Sequence, residues 1–232
     1  MSRRGNRPAS PDPFSKSASR TSAARWATFD CYGTLIDWNE GIHSELARVF
    51  GEEQADEQLR RYHELEPELE ADGKRSYREV LTEAMRRLGA SAGEEDALAR
   101  SLPTWQPFKE VPDALAKARE GGWKLAILSN TDRDFIEASM QNLGVPFELA
   151  IVASEIGSYK PGLEHWQAFE RQTGRPPDVH VAASLFHDIA AARRLGLPSI
   201  WINRLGERAD PEPTRELPDL ERLPETLDEV AP

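Results

Sequence analysis

The sequence predicts an α/β fold: a parallel sheet with helices between its strands, interrupted by an all-helical insert. Two observations predict it. Short apolar runs ending in polar residues alternate with helical patterns that stop on Gly, as strands and crossover helices of a parallel sheet do. A long stretch after the first run carries helical periodicity and no strand candidate.

The first run is Trp26 to Phe29, suited to a short buried strand, and it ends on Asp30 in the segment TFDCYGTLID. Gly33 lets the backbone fold tightly over whatever Asp30 faces. An acid so placed is either a carboxylate nucleophile or the cap of the turn that follows, and this segment alone leaves both open. Residues 38–105 read as helices over Gly41 to Phe50, Glu53 to Leu69, Ser76 to Leu88 and Glu94 to Ser101. In the third of these, Tyr77, Val80, Leu81, Ala84 and Leu88 share one face. Such an insert predicts a lid over the site.

Four further runs follow: Lys124 to Asn130, Phe147 to Glu155, Val179 to Ser184 and Pro198 to Asn203. Helical patterns at Val111 to Glu120, Asp132 to Asn142, Leu163 to Thr173 and Phe186 to Leu195 separate them. Ligands of such sheets bind beyond the carboxyl ends of the strands. Asp30, Ser129, Asn130, Ser154, Glu155 and Ser184 are expected there.

The 232 residues suffice for one sizeable core and a smaller inserted unit. The longest apolar run, Leu149 to Ala153, is far too short to span a bilayer, so no membrane association is expected. Cys31 is the only cysteine, which excludes an internal disulfide and fits a reducing, cytoplasmic setting. Strand alternation turns its side chain away from the Asp30 face. Residues 1–25 hold six basic residues and one acid, leaving 23 basic against 39 acidic residues in the remainder. That balance argues against nucleic acid as a partner. Residues 1–24, rich in Ser, Pro and Arg, read as a disordered basic tail. The expected division is a core of 25–37 plus 106–232 and a helical cap of 38–105. Trp and Leu on the cap helices serve as core or as a dimer face, so a homodimer stays open.

Four motifs in order, Asp30 to Thr34 (DCYGT), Leu128 to Asn130 (LSN), Tyr159 to Gly162 (YKPG) and Ala183 to Asp188 (ASLFHD), make the chain resemble the haloacid dehalogenase superfamily from about Trp26 onward. The resemblance implies a Rossmann-like core, a helical cap after the first motif, and Asp30 as a nucleophile forming a covalent aspartyl ester. Phosphatases of that superfamily place a second Asp two residues after the nucleophile, to protonate the leaving alcohol, and a Gly-Asp pair in the last motif to help hold Mg²⁺. Here those positions are Tyr32 and Ala182-Ala183. Asp-x-Tyr-Gly-Thr instead resembles the L-2-haloacid dehalogenase branch. A halide leaves as an anion without a general acid, and the branch needs no metal or other cofactor. The implied function is hydrolysis of a small 2-halocarboxylic acid; the alternatives are a Mg²⁺-dependent phosphatase of a small metabolite, or a catalytically impaired homologue that binds a ligand.

By the same resemblance Lys160 pairs with and orients Asp30, Thr34 donates to it, and Asp188 positions or activates the hydrolytic water. Tyr32, Ser129 and Asn130 would bind the substrate or the departing halide, with helix capping as the plain reading of the last two. Arg61, 31 residues after Asp30, roughly matches a halide-receiving arginine, although a helix bearing Arg60, Arg61 and His63 is also simply solvated. Glu64, Glu66 and Glu68 would oppose an anion there. His187 reads as a packing or surface residue. The chain departs from the dehalogenase branch at Leu185, where that branch has Asn, at Ala183 in place of Ser, and at Trp166 in place of Tyr.

Overall fold

A computed structural model describes residues 24–71 and 73–231. The predicted tail therefore lies outside the described residues, apart from Ala24. Six parallel strands, β1 (Arg25–Phe29), β2 (Trp123–Ser129), β3 (Leu149–Val152), β4 (Val179–Ala182), β5 (Ser199–Ile202) and β6 (Arg215–Leu217), form one sheet in the order β3-β2-β1-β4-β5-β6. The chain reverses direction across the sheet between β1 and β4, the place where such sheets open a crevice for ligands.

Strand alternation divides the core. Leu125 and Ile127 of β2 join Ala27 and Phe29 of β1 in one buried layer, while Ala126 and Leu128 join Trp166 and Phe169 in another. The first layer meets α5 (Val111–Glu120), α6 (Arg133–Leu143) and α10 (Leu223–Val230); the second meets α8 (Glu164–Thr173) and α9 (Ala190–Leu195). The short α7 (Ala153–Ile156) follows β3 directly.

Between β1 and β2 lie α1 (Trp38–Phe50), α2 (Glu52–Glu70), α3 (Tyr77–Leu88) and α4 (Ala97–Ser101). Ser76 and Glu79 close a reciprocal capping box at the start of α3. The same helix end is held from the sheet side, because the Asp132 carboxylate accepts from the backbone N–H groups of Tyr77 at 3.1 Å and Arg78 at 2.9 Å. Asp132 thus caps a neighbouring helix rather than its own α6. At Gly41 a Cβ would come within 2.4 Å of the Trp105 ring, so only glycine lets α1 approach that buried indole.

Several expectations need correction. The run ending at Glu155 is a strand only to Val152; Ser154 and Glu155 fall in α7, and Glu155 pairs with Arg133. Phe186 to Leu195 is not one regular helix: a wide π-type turn at Leu185–Ile189 precedes α9. That turn buries Asp188 while leaving Phe186 66% exposed. β6 and α10 extend the fold beyond the predicted elements. Among the described residues no helix is long and apolar enough to cross a membrane.

Candidate active site

A cavity of about 530 Å³ opens at the carboxyl ends of β1, β2 and β4. Asp30 directly follows β1, and its backbone N–H bonds the Val181 carbonyl of β4 at 3.0 Å, which pins it to the sheet. Gly33, at φ +83°, turns the chain so that Thr34 comes back beside it. The Thr34 hydroxyl donates to Asp30 Oδ2 at 2.7 Å and accepts from the Ala183 N–H at 2.9 Å.

Lys160 reaches the opposite oxygen. Its Nζ donates to Asp30 Oδ1 at 2.8 Å, to Asp188 Oδ1 at 2.7 Å and to the Leu128 carbonyl at 2.9 Å. All three donors of the ammonium are used in a fully buried setting. Burial alone would lower the Lys160 pKa, but Asp188 and Asp30 outweigh it and raise it. For Asp188, burial would raise the pKa, but Lys160 and the His180 bond hold it well below the usual carboxylate range.

The turn that presents Lys160 is fixed locally. Asn130 Oδ1 accepts from the Lys160 N–H at 2.7 Å and its Nδ2 donates to the Lys160 carbonyl at 3.1 Å, a two-point clamp. Gly162 closes the turn, where a Cβ would stand 2.8 Å from the Tyr159 carbonyl oxygen. Asn130 therefore commits Oδ1 and one Nδ2 hydrogen to the lysine backbone, while it also lines the cavity beside Ser129 and faces Glu70.

Tyr32 lines the cavity too, but its hydroxyl turns away from Asp30 to Ser139 Oγ, 3.0 Å away. The ring stacks on Tyr77, and burial raises the phenol pKa further from neutrality. What Tyr32 offers the cavity is an aromatic face.

Arg61 is not brought to the site. Its guanidinium donates to Gln58 Oε1 and to the Arg87 carbonyl, and it does not line the cavity. The arginine in the cavity wall is Arg204, just beyond β5, which donates to the Thr34 carbonyl at 3.0 Å and to Glu110 at 2.8 Å and stacks over Phe108. Its Nε is buried without a protein partner. His187, expected at the surface or in packing, stands in the cavity wall because the wide turn rotates it there, 4.0 Å from Glu70 Oε2. His180, which none of the four motifs includes, is a fully buried β4 residue whose Nε2 lies 2.9 Å from Asp188 Oδ1. A polar residue within an otherwise apolar strand was the signal for it.

Helix α2 adds a pair of acids one turn apart. Glu66 Oε1 accepts from the Tyr62 and Tyr77 hydroxyls at 2.9 and 2.8 Å, and burial, against those two bonds, pushes its pKa up to about 7. Glu70, buried and close to Glu66 and Asp30, is pushed up to about 9 by burial first and by those charges second, against Lys160 and Asn130. Glu64 and Glu68, by contrast, are exposed partners of Arg60 and Arg87. Because the folded pKa of Glu70 exceeds its ordinary 4.5, its contribution to stability is complete below about pH 4.5 and is lost as the pH rises through about 9. The melting temperature should fall over that window, and Glu70→Gln should flatten the fall. Equal slopes for both proteins by scanning fluorimetry would refute this assignment.

A divalent metal does not fit these side chains. Asp30 and Asp188 are the two carboxylates available beside one another, and both turn Oδ1 to Lys160 Nζ. Tyr32 and Ala183 supply no further side-chain oxygen here, and among the described residues no group of three or more His, Cys, Asp or Glu is disposed to hold a metal.

A family profile for haloacid dehalogenase-like hydrolases matches residues 24–196. The chain is 29% identical to an (S)-2-haloacid dehalogenase of Pseudomonas sp. (strain YL) over 195 residues, 77% of this chain and 82% of that one. It is 28% identical to (S)-2-haloacid dehalogenase 1 of Pseudomonas sp. (strain CBS-3), over 88% of this chain and 96% of that one. The structure superposes on an L-2-haloacid dehalogenase from Xanthobacter autotrophicus with a TM-score of 0.76 at 20% identity, over 89% of this chain and 99% of that one.

Proposed function

The chain belongs to the haloacid dehalogenase-like hydrolase family, and from that premise we propose that it hydrolyses a small 2-haloalkanoic acid without a metal, through an ester on Asp30. One observation carries the reading: the Asp30 carboxylate is held by Thr34 and Lys160 at the floor of a cavity that offers neither a second acid after the nucleophile nor a fitting metal site. The kinship to (S)-2-haloacid dehalogenases supports it.

A carboxylate oxygen of Asp30 attacks C2 of the substrate in line with the halogen, and the carbon–halogen bond breaks with the electron pair leaving on the halide. Water then adds to the Asp30 carboxyl carbon, with Asp188 as the base that accepts its proton. The ester bond to the former C2 oxygen breaks and a 2-hydroxy acid departs. Thr34 and Lys160 hold Asp30 in one orientation throughout. Arg204, which lines the cavity wall, would receive an anionic group, a role for which the resemblance offered Arg61 as a rough match. Glu70, with its pKa pushed up to about 9, keeps its proton at neutral pH and so adds no charge against a substrate carboxylate.

The test is a parallel assay of (S)-2-chloropropionate and an aryl phosphate, each with EDTA and with Mg²⁺. Halide release that survives EDTA is expected, and Arg204→Gln should raise KM about tenfold or more by removing a charge-assisted contact. No halide from any 2-haloacid, together with Mg²⁺-stimulated phosphate release, would overturn the proposal.

A further inference from the structure

We propose that His180 is a positioning residue for the ester-hydrolysis step, holding Asp188 so that one carboxylate oxygen stays free to take the proton of the attacking water. The inference rests on the dehalogenase reading for its kinetic consequence, but its geometric content is independent of substrate.

The hydrogen-bond pattern is asymmetric. Asp188 Oδ1 accepts from both Lys160 Nζ at 2.7 Å and His180 Nε2 at 2.9 Å, whereas Oδ2 is buried with no protein partner. Asp188 lines the cavity that holds Asp30, and its side chain is 1% exposed. A buried carboxylate oxygen without a donor is costly unless it has work to do or a water to meet. The partners on Oδ1 set the carboxylate plane, so Oδ2 cannot rotate away to satisfy itself.

His180 is built for that task. Its partner oxygen only accepts, so Nε2 carries a proton. On the other side of the ring Nδ1 lies 2.9 Å from the Thr28 hydroxyl, which also stands 3.3 Å from the Val179 carbonyl and, with the ring neutral, donates to Nδ1. Thr28 in β1 and His180 in β4 are paired across the sheet, which fixes both ends of this relay on rigid backbone. The Trp166 ring packs edge-on against the imidazole, 5.2 Å between centroids.

In the step served, Asp188 Oδ2 takes a proton from water as the water oxygen bonds the Asp30 carboxyl carbon. The bond from that carbon to the ester oxygen breaks, the departing alkoxide recovers the proton from Asp188, and the proton of the regenerated Asp30 carboxyl leaves to solvent. A displaced Asp188 should slow this step and leave the preceding alkylation untouched.

The experiment compares wild type with His180→Leu and His180→Gln in single turnover of (S)-2-chloropropionate, following halide release and, by intact mass, the ester on Asp30. His180→Leu should keep the halide burst, accumulate ester and hydrolyse it about ten- to a hundredfold more slowly, short of the ~10²–10⁴ of losing a general base outright. His180→Gln, which keeps an N–H donor, should recover part of the rate. A second readout needs no substrate: ¹³C-carboxyl NMR of Asp188, faced by Lys160, Asp30, His165 and His187 as well as His180, should show its titration shifted upward in His180→Leu. Absence of ester accumulation, or equal slowing of both steps, together with an unmoved Asp188 titration, would overturn the proposal. If wild type released no halide, the dehalogenase reading would have failed while the titration still decided the role of His180. Should His180→Leu not fold, Thr28→Val, which removes the Nδ1 partner and keeps the imidazole, is read in the same two ways, with an unmoved titration again the refuting result.

Discussion

Asp30→Asn should abolish halide release, by a factor on the order of 10⁴ or more, while leaving a protein that melts close to wild type. An amide oxygen is a feeble nucleophile, so the alkylation step has no substitute donor among the neighbours. Thr34 and Lys160 donate to Asp30 rather than attack through it, and the single cysteine, Cys31, is fully buried with its thiol pKa raised by burial and by Asp30. The fold should tolerate the change, since Asn keeps an acceptor for Lys160 and Thr34 Oγ1 can accept as well as donate. Turnover in ¹⁸O-water separates the two roles an aspartate can take here. If Asp30 is the nucleophile, the first turnover places label in the Asp30 carboxyl and unlabelled oxygen in the product. Label appearing in the product of a single turnover, with none in the protein, would make Asp30 a base for direct attack by water, and the ester mechanism would fall.

Much of this site is legible in the sequence because catalysis demands particular side chains at strand ends, and strand ends are visible as the close of an apolar run. Asp30 and Ser129 sit at such closures. Lys160 and Asp188 enter through the motifs that resemble the superfamily. The residues that escape are those whose role depends on which way an element faces. In ELEPELE every second residue of α2 is acidic, so no periodicity separates Glu70, buried in the cavity, from Glu68, exposed beside Arg87. The row Tyr62, Glu66 and Glu70, spaced four apart, turns inward on the helix, and Arg61, one residue off that row, points elsewhere.

Arg204 is hidden for a different reason: it lies just past the close of β5, and only the approach of Phe108 and Glu110 from the segment before α5 gives it an environment. Similarly β6 is three residues long and two of them are exposed, so its pairing with β5 is a tertiary fact with no local pattern behind it. The π-type turn before α9 is likewise invisible to a 3.6-residue period, and it is what places His187 and Asp188 on the cavity side.

Lys160→Met should destabilise the fold by about 3–5 kcal/mol and remove activity, because it leaves two buried carboxylates facing each other without their shared cation. The lost attraction is only part of the cost; the larger part is the desolvation of Asp30 and Asp188, which Lys160 now offsets with two charge-assisted bonds. Without it at least one carboxyl must take up a proton, so its folded pKa rises above the unfolded value of about 3.9. The sign then follows: a group with a raised folded pKa holds its full stability below the unfolded value and loses it as the pH climbs. Lys160→Met should therefore lie nearest to wild type in acid and fall furthest behind near neutrality. Adding Asp188→Asn removes one of the stranded charges and should recover part of the loss at neutral pH, a coupling a double-mutant cycle in urea measures directly. Strict additivity of the two substitutions would mean that the ammonium does not bridge the carboxylates, and with it would go the account of how this cavity holds its nucleophile ready.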